Sequence, residues 1–217
     1  LEMFVSQSFG AKKFDVCGVY LNRAKLVATL IMIPIVIIYI FSDKILIALD
    51  QDPGISIISR RYCCILIPGI WAQSMFDATR KFMSAQLEMM IPLYIQAVTL
   101  VLHLIICWLF VSKFGWRETG AAIATNITYI PNMIIIDIIC WKSEKYEKTW
   151  CMPDRRIFDN IGTYIKVGIP GACMLCFEWW CFELLAIFSG LMSVEALAAE
   201  VIIVNIVTFI FMIPLGI

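Results

Sequence analysis

Apolar runs of twenty or more residues alternate along this chain with short stretches that collect nearly all the charge. Six such runs stand out, at 17–41, 59–82, 89–112, 119–141, 161–190 and 193–217. Crossing ~30 Å of hydrocarbon takes about 20 helical residues, so the pattern predicts six transmembrane helices. The run at 89–112 is uncharged throughout, and Arg23 and Lys25 near the start of the first run can snorkel toward the interface. Residues 1–16 read as a polar, loop-like lead-in, 43–54 as a short polar loop holding Asp50-Gln51-Asp52-Pro53, and 113–118 as a tight connection. The longest polar stretch divides the chain into 1–141, a linker over 142–160, and 161–217.

Basic residues fall unevenly on the two sides that these spans define. Lys12, Lys13, Arg23, Lys25, Arg80, Lys81, Lys142, Lys145, Lys148, Arg155, Arg156 and Lys166 lie on one side, and only Lys44, Arg60, Arg61, Lys113 and Arg117 on the other. Because positive charge marks the cytosolic side, the lead-in and the linker are expected in the cytosol. Prolines fall inside spans at Pro34, Pro68, Pro131, Pro170 and Pro214. Each removes a helical hydrogen bond, and such bends suit a bundle whose faces open in turn.

Composition agrees with the pattern: 61% of residues are hydrophobic and 16% charged, against about 45–50% and 25% in soluble domains. The formal net charge of zero offers no basic face for nucleic acid. Of the nine cysteines, Cys173 and Cys176 have metal-pair spacing, but no second pair or histidine follows them, and the single histidine is His103 in another run. Small apolar packing residues are the expected reading, and no metal or other cofactor is expected. The start at Leu1, which is not an initiator, and the apolar run ending at Ile217 predict a piece of a longer protein.

Within this apolar background, Cys176-Phe177-Glu178-Trp179-Trp180-Cys181-Phe182-Glu183 places two carboxylates in the fifth span. An acid near the bilayer centre costs roughly 2.5–3.5 kcal/mol on insertion scales, so such a residue is expected to face a cavity and serve function. Five residues apart, Glu178 and Glu183 point about 140° away from each other on a helix. Glu178 is the better candidate for the cavity, with Glu183 facing a neighbouring helix or a wider vestibule. Phe177, Trp179, Trp180 and Phe182 supply ring faces that attract organic cations, which makes Trp179, Trp180 and Phe182 candidate cavity walls. The structural alternative is an interfacial aromatic belt with structurally paired glutamates.

The sixth span adds Glu195, read as a solvated first-turn acid, then Glu200 and Asn205 at the same five-residue offset. If the last two spans are neighbours, Glu178 is expected near Glu200 or Asn205, where two close carboxylates can share a proton. Among other polar groups in the spans, His103 is expected to be satisfied by a backbone carbonyl and Asp77 to pair with Arg80 or Lys81. Asn126 and Thr125 are expected to hydrogen-bond across helices. No nucleotide-binding loop or nucleophile triad is visible, and the chain is not expected to be an enzyme.

Several of these motifs are familiar. Ser6-Gln7-Ser8-Phe9-Gly10-Ala11, Asp50-Gln51-Asp52-Pro53, Ile67-Pro68-Gly69, Ser84-Ala85-Gln86 with Pro92, Gly120-Ala121-Ala122 and the octet Cys176 to Glu183 resemble signatures of the multidrug and toxic compound extrusion (MATE) transporters. The octet is similar to the motif of their eukaryotic branch. The resemblance implies an all-α polytopic bundle of two six-helix lobes. On that template the chain runs from the end of helix two through helix eight, with 1–141 in the N-terminal lobe and 161–217 opening the C-terminal one.

It also implies a secondary antiporter, working by alternating access. Such a protein exports organic cations, drugs or metabolites in exchange for protons, in preference to sodium ions. Its setting would be the plasma membrane or a vacuole-like membrane, with the lipid bilayer and a small, cationic substrate as partners. The cavity acids map onto Glu178 and Glu183. One departure is that Asn205 stands where the family often has an acid, while Glu200 takes a place commonly held by glutamine. A truncated structural or assembly subunit without transport, a lipid-linked oligosaccharide flippase of related fold and a channel remain as alternatives. The flippase would want cationic residues in its cavity, and no filter-like repeat marks a channel.

Overall fold

A computed structural model describes residues 1–48, 53–159 and 161–215. In the last two helices the side chains of residues 178, 187, 190–192, 194, 195, 197 and 213–215 lie outside the described set. The elements are α1 (Glu2–Gly10), α2 (Phe14–Ile40), α3 (Ser42–Ala48), α4 (Pro53–Ser84), α5 (Met90–Trp108), α6 (Arg117–Lys142), α7 (Ile161–Met192) and α8 (Val194–Leu215). A π-turn, Leu109–Lys113, prolongs α5, and two 3-10 turns, Glu144–Tyr146 and Arg155–Ile157, shape the segment after α6. No strand occurs among the described residues.

Among the described residues, five helices are long and apolar enough to cross a membrane: Phe14–Ile40, Pro53–Ser84, Met90–Lys113, Arg117–Lys142 and Ile161–Ala186. The sixth expected span corresponds to α8, in which the described apolar stretch is the shorter Ala198–Met212. Pro53 begins α4, where a missing N–H costs nothing. Further in, α2, α4, α6 and α7 run through Pro34, Pro68, Pro131 and Pro170 without interruption.

Two segments read as loops are helical instead. In the lead-in, α1 lays Val5 flat against the start of α2, where Phe4 stacks on Tyr20 with ring centroids 5.1 Å apart. After α2, the chain turns at once into α3, where Asp43 is held by Arg60 at 3.2 Å. Both helices are short enough to be marginal alone, so their packing partners supply the stability that local sequence does not advertise. The Asp50-Gln51-Asp52 part of the expected loop lies outside the described residues.

The chain separates into two compact units, Leu1–Asp159 and Asn160–Ile217. In the first, α6 packs along α4, with α2 on α4 and α5 on α6. Its buried core gathers at the end where the segment 142–159 lies: Val5, Cys17, Leu21, Phe76, Phe82, Met83, Ile136, Cys140 and Tyr146. Along the spans, isoleucines, leucines and valines stay exposed, as helices bathed in lipid require. The second unit is the α7–α8 helical pair.

Candidate functional site

In the second unit, α7 and α8 border an open hollow of about 180 Å³ lined by Phe182, Glu183, Ala186, Glu200, Val201, Val204 and Asn205. On α7 the wall is built from positions 182, 183 and 186, and on α8 from 200, 201, 204 and 205. These are spacings of one to five residues, so each helix offers a face roughly 100–140° wide. That width lets Glu200 and Asn205 border the same hollow although they stand five residues apart. Glu183 is exposed and Glu200 half-buried. Among the described residues neither carboxylate has a basic partner, and the rest of the lining is apolar apart from Asn205.

The structure brings together Glu183, Glu200, Asn205 and Phe182, four of the residues singled out in the sequence. Glu183 is the described α7 acid that shares the hollow with Glu200, and the expected proximity of Glu178 to Glu200 or Asn205 rests on a side chain outside the described residues. The side chains of Glu178 and Glu195 lie outside the described residues. Trp179 and Trp180 do not line this hollow; both are about 60% exposed, and Trp180 meets Phe177 edge-on at 6.0 Å.

Polar groups of the first unit are tied into its frame. Asp77 is held by Arg80 at 3.0 Å and accepts from Gln73 Nε2 at 3.4 Å. Asn126 Nδ2 donates across to the Ile65 carbonyl at 2.5 Å, close to Pro68 where α4 lacks a donor. Gly69 makes that approach possible, since a side chain there would collide with the Asn126 amide. His103 Nδ1 meets the Thr128 hydroxyl at 3.2 Å rather than a backbone carbonyl. Thr99 donates to Asn132 Oδ1 at 2.5 Å on the facing helix.

One group escaped the sequence reading altogether. Asp137 on α6 receives the Lys25 ammonium at 2.7 Å and the Thr79 hydroxyl at 2.8 Å, tying α2, α4 and α6 together. The available signal was that Asp137 is the sole charge within 119–141, opposite a Lys25 taken as merely snorkelling.

Outside the spans, burial pushes the Cys151 thiol and the Tyr146 phenol above their ordinary values. Asp154 is held below the usual carboxylate range by the Arg155 N–H and the Arg156 guanidinium.

Comparison with known proteins bears on the family and the fold. The family model described as MatE matches residues 1–109. Protein DETOXIFICATION 3 of Arabidopsis thaliana is 33% identical over 96% of this chain and 44% of its own length. DETOXIFICATION 1 of the same plant is 35% identical over 93% of the chain and 42% of its own. The chain therefore spans less than half the length of these curated relatives. The crystal structure of the eukaryotic MATE transporter AtDTX14 superposes with a TM-score of 0.80 at 29% identity, covering 87% of this chain and 42% of that one.

Proposed function

Since the chain belongs to the MatE family, a multi-pass membrane transporter family, we propose that the complete protein is a secondary antiporter. It exports small organic cations, drugs or metabolites in exchange for protons by alternating access. The observation that carries this reading is the shared hollow of Glu183 and Glu200, with Asn205 and Phe182 on its wall and no basic side chain in its lining. Acids without a counter-charge at membrane depth are costly, and a proton or a cation relieves that cost. The two occupants exclude one another, which is the elementary requirement for exchange.

In this reading, protons arriving from the outer side neutralise Glu183, Glu200 and, five residues before Glu183, Glu178, and the bound cation leaves. Loss of the protons toward the cytosol restores the cation site. The Phe182 ring adds a face suited to a lipophilic cation, at ~0.5–2 kcal/mol. Asn205 contributes a neutral hydrogen-bonding group where a further acid would hold the cation more tightly. The basic residues on the linker side orient that side to the cytosol, in the plasma membrane or a vacuole-like membrane.

The test is uptake of tetraphenylphosphonium into everted vesicles carrying the complete gene product, driven by an imposed pH gradient with the lumen acid; this uptake is efflux in the frame of the cell. Glu183→Gln and Glu200→Gln are expected to lose gradient-driven efflux at unchanged protein level, and Glu178→Gln to do the same. Undiminished efflux in both Glu183→Gln and Glu200→Gln would remove the hollow from the mechanism.

A further inference from the structure

A charged segment of this length between two membrane units ordinarily serves as a slack tether, and the composition of 142–159 suggests no more. The structure holds it down around Tyr146, Cys151 and Ile157, with 152–156 exposed between the last two. Tyr146 is fully buried against Phe82, ring centroids 6.2 Å apart, and its neighbour Lys145 pairs with Glu88. Asn22 Nδ2 donates to the Cys151 carbonyl at 2.8 Å and lies 3.7 Å from its Sγ. Arg23, only 6% exposed, donates from Nε to the Ile157 carbonyl at 2.9 Å and from Nη2 to the Arg156 carbonyl at 3.1 Å.

Gly18 permits the closest approach: an ideal Cβ there would lie 2.7 Å from the Thr149 oxygen and from both the nitrogen and Sγ of Cys151. Any other residue would wedge the segment off α2. The Arg23 contact carries the largest penalty for release. Its guanidinium sits over the Tyr20 ring, 5.2 Å from the centroid, with no carboxylate partner among the described residues. Peeling the segment away would strip a buried cation of its acceptors.

We propose that residues 142–157 form a strap fastened to α2 and α4 throughout the working cycle, so that movement of one unit against the other is taken up after Ile157. The segment then belongs mechanically to the first unit and is not the hinge. The strap stands apart from the transport reading; only the efflux arm of its test rests on that reading.

Asn22→Cys places a second thiol on the side chain whose amide nitrogen lies 3.7 Å from the Cys151 Sγ, so that a disulfide between the two closes the contact of α2 with the strap. Burial keeps the Cys151 thiol protonated at neutral pH, so the bond is expected on adding copper phenanthroline and not before. With Cys151→Ser as control, oxidised peptides carrying a 22–151 link are expected by mass spectrometry. Efflux by the linked protein is expected to equal that of its dithiothreitol-reduced form. In the unaltered protein the amides of Thr149, Trp150 and Ile157, which donate to the Tyr146 and Asp154 carbonyls, are expected to exchange with deuterium roughly tenfold or more slowly than those of a free loop. Efflux that is lost on oxidation and recovered on reduction overturns the proposal. So does exchange of the Thr149, Trp150 and Ile157 amides at free-loop rates. The exchange and cross-linking arms fail or succeed whatever the protein transports.

Discussion

The two units handle charge in opposite ways. In the first, the acids that sit beyond the first turn of a spanning helix are matched, Asp137 with Lys25 at 2.7 Å and Asp77 with Arg80 at 3.0 Å, and Asp43 on α3 is matched with Arg60 at 3.2 Å, while Asp15 and Glu118 lie exposed in the first turns of α2 and α6. In the second, Glu183 and Glu200 share a hollow with no basic partner among the described residues. A matched charge in a membrane protein is part of the frame, because its cost is offset on the spot. An unmatched one stays costly until something mobile arrives. The contrast separates structural acids from working acids, although both kinds look alike in a hydropathy profile.

The strongest way to break the contrast is to neutralise one member of each class. Glu183→Gln should remove gradient-driven efflux while leaving the thermal unfolding midpoint in detergent unchanged. Asp137→Asn should do the reverse, retaining pH-coupled efflux by the folded fraction and losing about 1–3 kcal/mol of stability. That figure is below the cost of breaking a fully buried pair, because the Lys25 and Asp137 side chains remain 20% and 38% exposed. If instead Asp137→Asn abolishes efflux at full stability, the distinction between the two classes is lost.

Next in size is the buried tyrosine of the strap. Tyr146→Ala should cost ~3–5 kcal/mol by the cavity it leaves beside Phe82. Tyr146→Phe should be neutral or stabilising, because the phenolic oxygen is buried without a hydrogen-bond partner among the described residues. A Tyr146→Phe variant as damaged as Tyr146→Ala would mean that the hydroxyl has a partner that matters.

A smaller effect is expected from pH. The folded-state values of Cys151 and Tyr146 lie above their ordinary 9.0 and 10.0, so each favours the folded strap while protonated. Their contributions are intact below pH 9, and are lost as pH climbs from there through the raised values. Deuterium exchange at the Thr149, Trp150 and Ile157 amides should accelerate above pH 9 beyond its intrinsic base-catalysed rise, and Cys151→Ala should remove part of that excess. Asp154 has the opposite sign: lowered from 3.8, it supports the Arg155–Ile157 turn above that value and ceases to as pH falls below it. Being fully exposed, it should give the smallest change.

Much of the frame was legible because hydropathy and helix length are one-dimensional. The runs at 89–112 and 119–141 fall within two residues of Met90–Lys113 and Arg117–Lys142. The run at 59–82 underestimates α4, which continues back to Pro53 because Arg60 finds Asp43 instead of ending the helix. α1 and α3 were missed since their stability comes from Tyr20, Cys17 and Arg60, which are not neighbours in sequence. In the candidate site the residue types were legible, and so was their unusual cost. Which α7 acid faces Glu200 depends on how α7 and α8 are rotated about their axes, and an all-apolar background carries no periodicity to fix that. Asp137 stayed hidden because a single charge barely lowers the hydropathy of a 26-residue helix.

The claim that unmatched acids do the work comes down to whether proton and cation compete for the same carboxylates. Binding of tetraphenylphosphonium to the purified complete protein, measured by calorimetry across pH, tests this most directly. Affinity should fall as pH falls, by ~10-fold per unit for each proton that must be displaced. Glu183→Gln combined with Glu200→Gln should flatten that dependence, and Asp137→Asn should leave it as steep as before. A slope that survives in the Glu183→Gln, Glu200→Gln protein and disappears in Asp137→Asn would contradict the account.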